Sequence, residues 1–353
     1  MPFNLAAIRQ LVFVALDDDE LKDLCFDHFP DVSAEFTAGQ SKSERVRSLV
    51  SYADRHGRLD VLLDALEQAN PNQFARFEAD LRAGGGAMAF PAFDLRPFEP
   101  VTIPIPAGPF LMGSDDPAAP AAEQPQRLIH LPDFRIGKHP VTVRQYAAFI
   151  KDRKSHPAPA GWFNREPPAD RLEHPATDVS WFDALAYCAW LSEQTGRRYI
   201  LPSEAEWEKA CSNGFSRAAN NATAEAVTTN KYPWGEEWIE GRCNAASGGT
   251  TAVTAHPDGA SAYGVEDLLG NVQEWTRSLW GLRPGQPDYG YPYDPADGRE
   301  VTDPQKLPAQ ARLAHRGGSF KSRPEDLRVT ARGNALPESK IAWRGFRVVM
   351  IMA

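Results

Sequence analysis

The sequence predicts an α+β protein in which a small all-helical domain precedes a larger domain of helices and short strands. Three observations predict this. The chain has 353 residues, which favours two domains. All nine tryptophans lie between Trp162 and Trp343, and residues 1–83 contribute −6 to a net charge of −9. We therefore expect a helical domain at 1–83, a Gly/Pro-containing linker at 84–97 and a mixed domain at 98–353.

Apolar residues with helical spacing define the first domain. A run of acidic residues at 17–20 suits the start of the second helix, Ser41 or Ser43 can cap the third, and Gly57 ends it. Short connections between such helices predict a compact antiparallel bundle. The spacing recurs in five stretches, at residues 5–16, 21–25, 46–52, 59–66 and 74–77.

The second domain combines short β-type runs with long connections. Residues 101–103 and 347–351 are typical of strands, whereas residues 142–152 and 180–194 have helical spacing. Ser203 and Glu206 have the spacing of a capping box, which predicts a further helix start and gives these polar residues a structural role.

Composition excludes several classes of protein. The net charge of −9 argues against a nucleic-acid partner, which usually meets a basic face. No apolar run approaches the roughly 18 residues that span a membrane, so we expect no membrane partner. The first residues lack a basic start and a cleavage site, so we expect a cytoplasmic location. Neither a disulfide framework nor a zinc site is expected from the four cysteines, Cys25, Cys188, Cys211 and Cys243.

Seven motifs follow one another along the second domain. They are FLMGS at 110–114, KHPVT at 138–142, VSWFDA at 179–184, LPSEAEWE at 201–208, LGNVQEW at 269–275, RGGSF at 316–320 and GFR at 345–347. In this order they give the domain a close resemblance to the formylglycine-generating enzyme family, also called sulfatase-modifying factors. The resemblance implies this family's variant of the C-type lectin fold, a mixed domain poor in regular structure.

Three segments of the first domain are distinctive: LKDLCFD at 21–27, RVRSLV at 45–50 and RHGRLDVLL at 55–63. Through them the domain resembles the bacterial effector-associated domains over residues 5–82. This resemblance implies a death-fold-like helical bundle whose partner is an effector protein that bears a matching helical domain.

The resemblance also provides a test for copper chemistry. In active family members two cysteine thiolates between the RGGSF-type and GFR-type motifs hold Cu(I), which prefers soft ligands. Here residues 320–344 contain no cysteine, and Pro324 and Val329 fall approximately at the two positions. Copper is therefore not expected, and no catalytic residue is predicted. The iron-dependent relatives use a His-x-x-x-His-x-Glu set, and no two of the eight histidines lie four residues apart.

One ion site is implied by the resemblance. The family's calcium-binding turn places side-chain oxygens at Asp267 and Glu274 and carbonyl oxygens at Gly270 and Val272. Oxygen donors around a glycine-containing turn suit Ca²⁺. The alternative is that the two carboxylates only anchor hydrogen bonds in a rigid turn. A second calcium site of some relatives would begin at Asn244, but its downstream acidic residue is not matched.

The segment that carries catalysis in active relatives is basic here. Residues 320–344 have a net charge of +3, which suits an acidic peptide or protein ligand, or a ligand carboxylate that accepts paired hydrogen bonds from Arg. In the alternative, Arg332, Arg344 and Arg347 form internal salt bridges. The predicted ligand-binding residues are Lys321, Arg323, Arg328, Arg332, Trp343 and Arg344.

The leading hypothesis is a non-catalytic binding component of a bacterial signalling or defence system. Its helical domain would recruit an effector, and its lectin-like domain would recognise a ligand. One alternative is an oxidoreductase of the same family whose chemistry needs no cysteine pair. Another is a retroelement-diversified ligand-binding protein, which residues 320–344 disfavour because they include only one Asn, Asn334, and no Tyr.

Overall fold

A computed structural model describes residues 3, 5–37, 40, 42–81, 95–212 and 230–351. The chain divides into two compact units, which are described separately below. Most of the predicted linker at 84–97 and the candidate cap Ser41 lie outside the described residues, so the boundaries at 83 and 97 stay predictions. No helix in the described ranges is both long enough and apolar enough to cross a membrane.

The first unit is helical, as the spacing predicts. Its second helix begins with a capping box, in which the Asp17 carboxylate accepts from the backbone of Glu20 and Glu20 accepts from the backbone of Asp17. The pattern missed a short third helix, which begins at Pro30 and has only five residues. The described helices are α1 (Leu5–Ala15), α2 (Asp18–His28), α3 (Pro30–Ala34), α4 (Lys42–Arg55), α5 (Leu59–Ala69) and α6 (Pro71–Leu81).

Two of these helices, α2 and α5, run antiparallel to each other. Arg58, at the start of α5, donates to the carbonyl of His28 at the end of α2 over 2.9 Å. Asn70, just after α5, donates over 3.0 Å to the carbonyl of Ala15, which precedes α2. Their inner faces join one apolar core that includes Ile8, Leu11, Leu21, Cys25, Leu49, Leu62 and Leu66.

The second unit contains both helices and strands. Its helices are α7 (Val143–Asp152), α8 (Trp181–Thr195) and α9 (Glu204–Cys211). Its strands are β1 (Thr102–Ile105), β2 (Gly108–Met112), β3 (Arg127–Leu131), β4 (Phe134–Gly137), β5 (Arg198–Ile200), β6 (Gln273–Gly281), β7 (Arg312–Arg316), β8 (Arg332–Ala335), β9 (Arg344–Gly345) and β10 (Val349–Ile351).

The strands form three small sheets. One has the order β1-β4-β10-β5, one pairs β2 with β3, and one has the order β8-β7-β6-β9. Only the β6–β9 pair is parallel among the described ladders, with Gln273 opposite Arg344 and Glu274 opposite Gly345. The GFR motif therefore lies beside the LGNVQEW motif, although about 70 residues separate them in the chain.

Capping boxes begin all three helices of this unit, at Thr142, Ser180 and Ser203. The structure confirms the capping role predicted for Ser203 and Glu206. Each box is local, because the capping side chain reaches a backbone amide only three residues away.

Two buried tryptophans join the start of α8 to β6. Trp181 donates to the carbonyl of Thr276 over 2.9 Å, and Trp275 donates to the carbonyl of Val179 over 3.1 Å. Both indoles are fully buried, so each provides a polar partner for a backbone group that water cannot reach. These reciprocal bonds fasten the start of α8 to β6.

Candidate ligand-binding site

The two positions expected to hold copper carry side chains that cannot bind a metal ion. Pro324 begins a single 3-10 turn, and the Val329 side chain is 1% exposed in the apolar core of the second unit. The chain's four cysteines are all buried and free. Burial raises the pKa of Cys25 and of Cys243 to about 12, so neither is a thiolate at neutral pH.

Two predicted ligand-binding arginines are instead paired inside the protein. Arg332 donates to both carboxylate oxygens of Glu204, over 2.7 and 2.5 Å, and both side chains are fully buried. Arg328 forms the same bidentate arrangement with the nearly buried carboxylate of Glu123. Both arginines thus use their hydrogen bonds on internal carboxylates, which agrees with the alternative of an internal salt bridge for Arg332, and a ligand-binding role for Arg328 and Arg332 stays a prediction.

The Glu204–Arg332 pair belongs to a larger buried network. Arg316 lies between Glu204 and Glu208, and Tyr291 donates to Glu208 over 3.0 Å. Burial opposes ionisation of Glu204, yet the guanidinium groups of Arg332 and Arg316 hold its pKa below the usual range. The network was missed from sequence, although Glu204, Glu208 and Arg316 come from the EAEWE and RGGSF motifs. Its role is to hold α9, β7 and β8 together.

The remaining predicted ligand residues have different surroundings. The ammonium of Lys321 lies 3.7 Å above the Trp343 ring, a cation–π contact. The Arg323 side chain is 67% exposed and pairs with its neighbour Asp326. Arg344 is buried and donates to the side chain of Gln273. The structure thus brings Lys321 and Trp343 together, while Arg323 pairs at the surface and Arg344 bonds to Gln273 inside the protein.

The turn expected to hold calcium is buried and strained. Asp267, Gly270 and Asn271 all have left-handed backbone angles, with φ of 57°, 76° and 47°. Burial raises the pKa of the Asp267 carboxyl to about 7, and that carboxylate accepts a 2.7 Å bond from Asn271. Carboxylate and carbonyl oxygens, which this turn provides, are the ligands that Ca²⁺ prefers.

Glu274, at the other end of the turn, is already engaged. Its carboxylate accepts from Arg347 over 2.6 and 2.7 Å and from the Trp207 indole over 2.9 Å. A calcium ion here would share this carboxylate with Arg347, so the calcium site stays a prediction. Asn244, expected in the second site, bonds through its side chain to Asn271, Gly249 and Ser247.

A polar cavity of about 260 Å³ opens beside the N-terminus of α7. Its wall comes mostly from the connection between α7 and α8, which is fastened to α7 because Val143 donates to the carbonyl of His174 over 2.9 Å. Thr250 completes the wall from a distant part of the chain. Its lining includes Trp162, Arg171, His174, Thr177 and Asp178, none of which the sequence pattern singled out.

The fold and these sites define an α+β domain whose described strands form three small sheets, held by buried ion pairs and by tryptophans that fasten the start of α8 to β6. A family model for the sulfatase-modifying factor enzyme 1-like domain matches residues 91–352. The chain belongs to this family. A second model, effector-associated domain 7, matches residues 8–71 within the helical unit.

Relatives and solved structures agree with this assignment. The formylglycine-generating enzyme of Thermomonospora curvata is 32% identical, with 69% of this chain and 91% of that protein covered. The inactive C-alpha-formylglycine-generating enzyme 2 of Mus musculus is 30% identical over 52% of this chain and 70% of that protein. The structure of PvdO from Pseudomonas aeruginosa has 26% identity and a TM-score of 0.54, and the match covers 73% of this chain and 96% of PvdO.

Proposed function

We propose that this protein is a non-catalytic binding component of a bacterial signalling or defence system. Its helical domain recruits an effector protein, and its sulfatase-modifying-factor-like domain recognises a ligand. The observation that carries this proposal is the loss of both copper ligands, since a proline turn and a core valine stand at the two positions. The four cysteines elsewhere are buried, so none of them offers an accessible thiolate in place of that pair.

The proposal can be tested by loading the full chain with copper. Purified protein is incubated with Cu(I) under reducing conditions, desalted and measured for metal content, and a cysteine-containing peptide is then offered as substrate. We expect substoichiometric copper and an unchanged peptide. One copper per chain together with oxidation of the peptide cysteine would overturn the proposal and favour an enzyme.

Recruitment is assigned to the outer side of α2 and α5, within a bundle that we propose to be death-like. Phe26 near the end of α2 is 74% exposed and Val61 near the start of α5 is 38% exposed, and the bond from Arg58 to His28 brings these two helix ends together. Asp23 and Asp27 on α2 and Asp60 on α5 are also exposed. An apolar centre with an acidic rim fits an effector-associated domain that presents a basic rim.

Two matched variants test this surface. Phe26→Glu changes the proposed contact, whereas Phe163→Glu changes an aromatic side chain in the second unit that is 81% exposed. The tagged full chain is used to capture proteins from its native cells, and captured chains are identified by mass spectrometry. We expect a protein that carries its own effector-associated domain to be lost with Phe26→Glu and kept with Phe163→Glu. Equal capture by both variants would contradict recruitment through this surface.

We also propose calcium as a structural ion at the strained turn, held by the Asp267 and Glu274 carboxylates and the carbonyls of Gly270 and Val272. What supports the proposal is a buried carboxylate at Asp267 that lies next to strained backbone. The ion would supply positive charge to that carboxylate and fix the turn.

A further inference from the structure

We infer that the polar cavity beside the N-terminus of α7 binds a small zwitterion of amino-acid size, with an ammonium group at Asp178 and a carboxylate at Arg171. This inference rests on the proposed function, because it supplies the ligand that the second domain would recognise. The cavity volume of about 260 Å³ is near the lower limit of ordinary ligand pockets, which suits a small molecule.

Asp178 provides the negative charge of the cavity. It is half-buried, and no described residue forms a hydrogen bond or ion pair with its carboxylate. The nearby ammonium of Lys340 is held by Asp183 over 2.7 Å instead. Burial raises the pKa of Asp178 despite the attraction of Lys340, so its carboxylate is only partly compensated, and a bound ammonium would offset the remaining cost.

The backbone at Asp178 is held in an unfavourable conformation. Its φ is 58°, in the left-handed region that few residues other than Gly, Asn and Asp adopt. Its amide donates to the carbonyl of Ile341 over 3.2 Å, in the connection that leads to β9. Strain of this kind persists where the surrounding structure fixes a residue, and it is often found at binding sites.

The rest of the wall suits a cationic group. His174 is anchored through its Nδ1 atom to Thr250 over 2.9 Å, and burial lowers its pKa, so the neutral ring does not repel an ammonium. The half-buried Trp162 ring lies edge-on to Tyr146, with ring centroids 6.2 Å apart. A fixed aromatic ring beside a carboxylate is a favourable setting for an ammonium group.

The cavity wall also carries a positive charge, which is exposed to solvent. Arg171 lines the same wall, and its side chain is exposed to solvent. A guanidinium can donate two parallel hydrogen bonds to a carboxylate. The two charges of the wall therefore match the two charges of a free amino acid, whereas a simple amine would leave Arg171 unused.

The first experiment is a calorimetric titration of the full chain with the common free amino acids. For any that bind, the N-acetylated and the methyl-ester derivatives are measured as well. We expect acetylation to abolish the contact with Asp178 and esterification to weaken the contact with Arg171. If the ester binds as well as the free acid, the ligand is a simple amine and the zwitterion inference is wrong.

Variants then locate the site. Asp178→Asn should weaken binding about 10- to 100-fold, since a charged hydrogen bond is lost while Asn tolerates the same backbone angle. Asp170→Asn is the matched control, because Asp170 is an exposed neighbour of Arg171 that does not line the cavity. Equal affinity of Asp178→Asn and the native chain would overturn the inference.

Failure of this inference can be distinguished from failure of the proposed function. If no amino acid binds to a chain that also takes up no copper, this ligand is wrong and the non-catalytic proposal stands. If the chain oxidises a peptide cysteine, the proposed function fails whatever the cavity binds.

Discussion

Replacing Arg347 with Met should strongly destabilise the second domain. Arg347 is 0% exposed, and its guanidinium holds the Glu274 carboxylate with two bonds of 2.6 and 2.7 Å. The same group donates to the carbonyls of Gly137, Lys138, Glu266 and Asp267, over 2.8 to 3.3 Å. One side chain therefore joins β4, the strained turn, β6 and the segment before β10.

The expected loss of stability follows from the buried Glu274 carboxylate that the substitution leaves without its arginine. Met matches the length of the arginine stem but donates nothing, so Glu274 keeps only the Trp207 indole as a partner. Breaking a buried ion pair by removing one member costs about 3–5 kcal/mol. At roughly 2 °C per kcal/mol for a domain of this size, the melting temperature should fall by about 6–10 °C.

Tryptophan fluorescence during heating and urea titration of the full chain would measure this loss. Because all nine tryptophans lie between Trp162 and Trp343, the signal reports the second domain alone. Arg323→Met is the control, since the Arg323 side chain also pairs with a carboxylate but is 67% exposed, and we expect no measurable change. If both variants unfold at the same temperature, burial does not decide the value of these pairs, and the reasoning is refuted.

Three further predictions concern the same domain. Burial holds the pKa of His315 well below its usual value of about 6.5, so protonation of this residue favours the unfolded chain, and its contribution to stability should fall as the pH drops from 7.5 to 5.5. The raised pKa of Asp267 acts in the opposite direction over the same range, so the comparison is made with a variant: urea titrations at each pH should show His315→Gln gaining stability relative to the native chain as the pH drops. Gly333→Ala would place a Cβ atom 2.2 Å from the His315 ring and should cost about 1–3 kcal/mol, whereas Gly248→Ala, with no atom within 4 Å of its Cβ, should be neutral in the same thermal assay. Calcium should raise the melting temperature relative to a chelator, and Asp267→Asn should remove that difference; an equal rise in the variant would place the ion elsewhere.

Features that depend on residues close together in the chain were predictable from sequence. The capping box at Ser203 and the helices at α7 and α8 follow from side chains three or four residues apart, and all were confirmed. The short helix α3 was missed because five residues are too few to show a helical period.

Features that depend on residues far apart in the chain could not be predicted from sequence. Residues 320–344 carry a net positive charge, yet the charge alone does not say whether an arginine meets a ligand or an internal carboxylate. The partner of Arg332 is Glu204, 128 residues away, and the partner of Arg328 is Glu123, 205 residues away. Both pairs form because β8 and its preceding turn come back across the start of α9 and the loop after β2.

The sequence by itself determined the family, the two kinds of domain and the absence of the copper ligands, because motifs, helical spacing and missing cysteines are all properties of the chain order. Only the tertiary structure decided which charges are free. It paired Arg328 and Arg332 internally, left the carboxylate of Asp178 without a partner among the described residues, and brought Thr250 to the wall beside His174. The physical reason is that burial and the path of the chain, rather than residue type, decide whether a charged side chain is paired inside the protein or left unpaired.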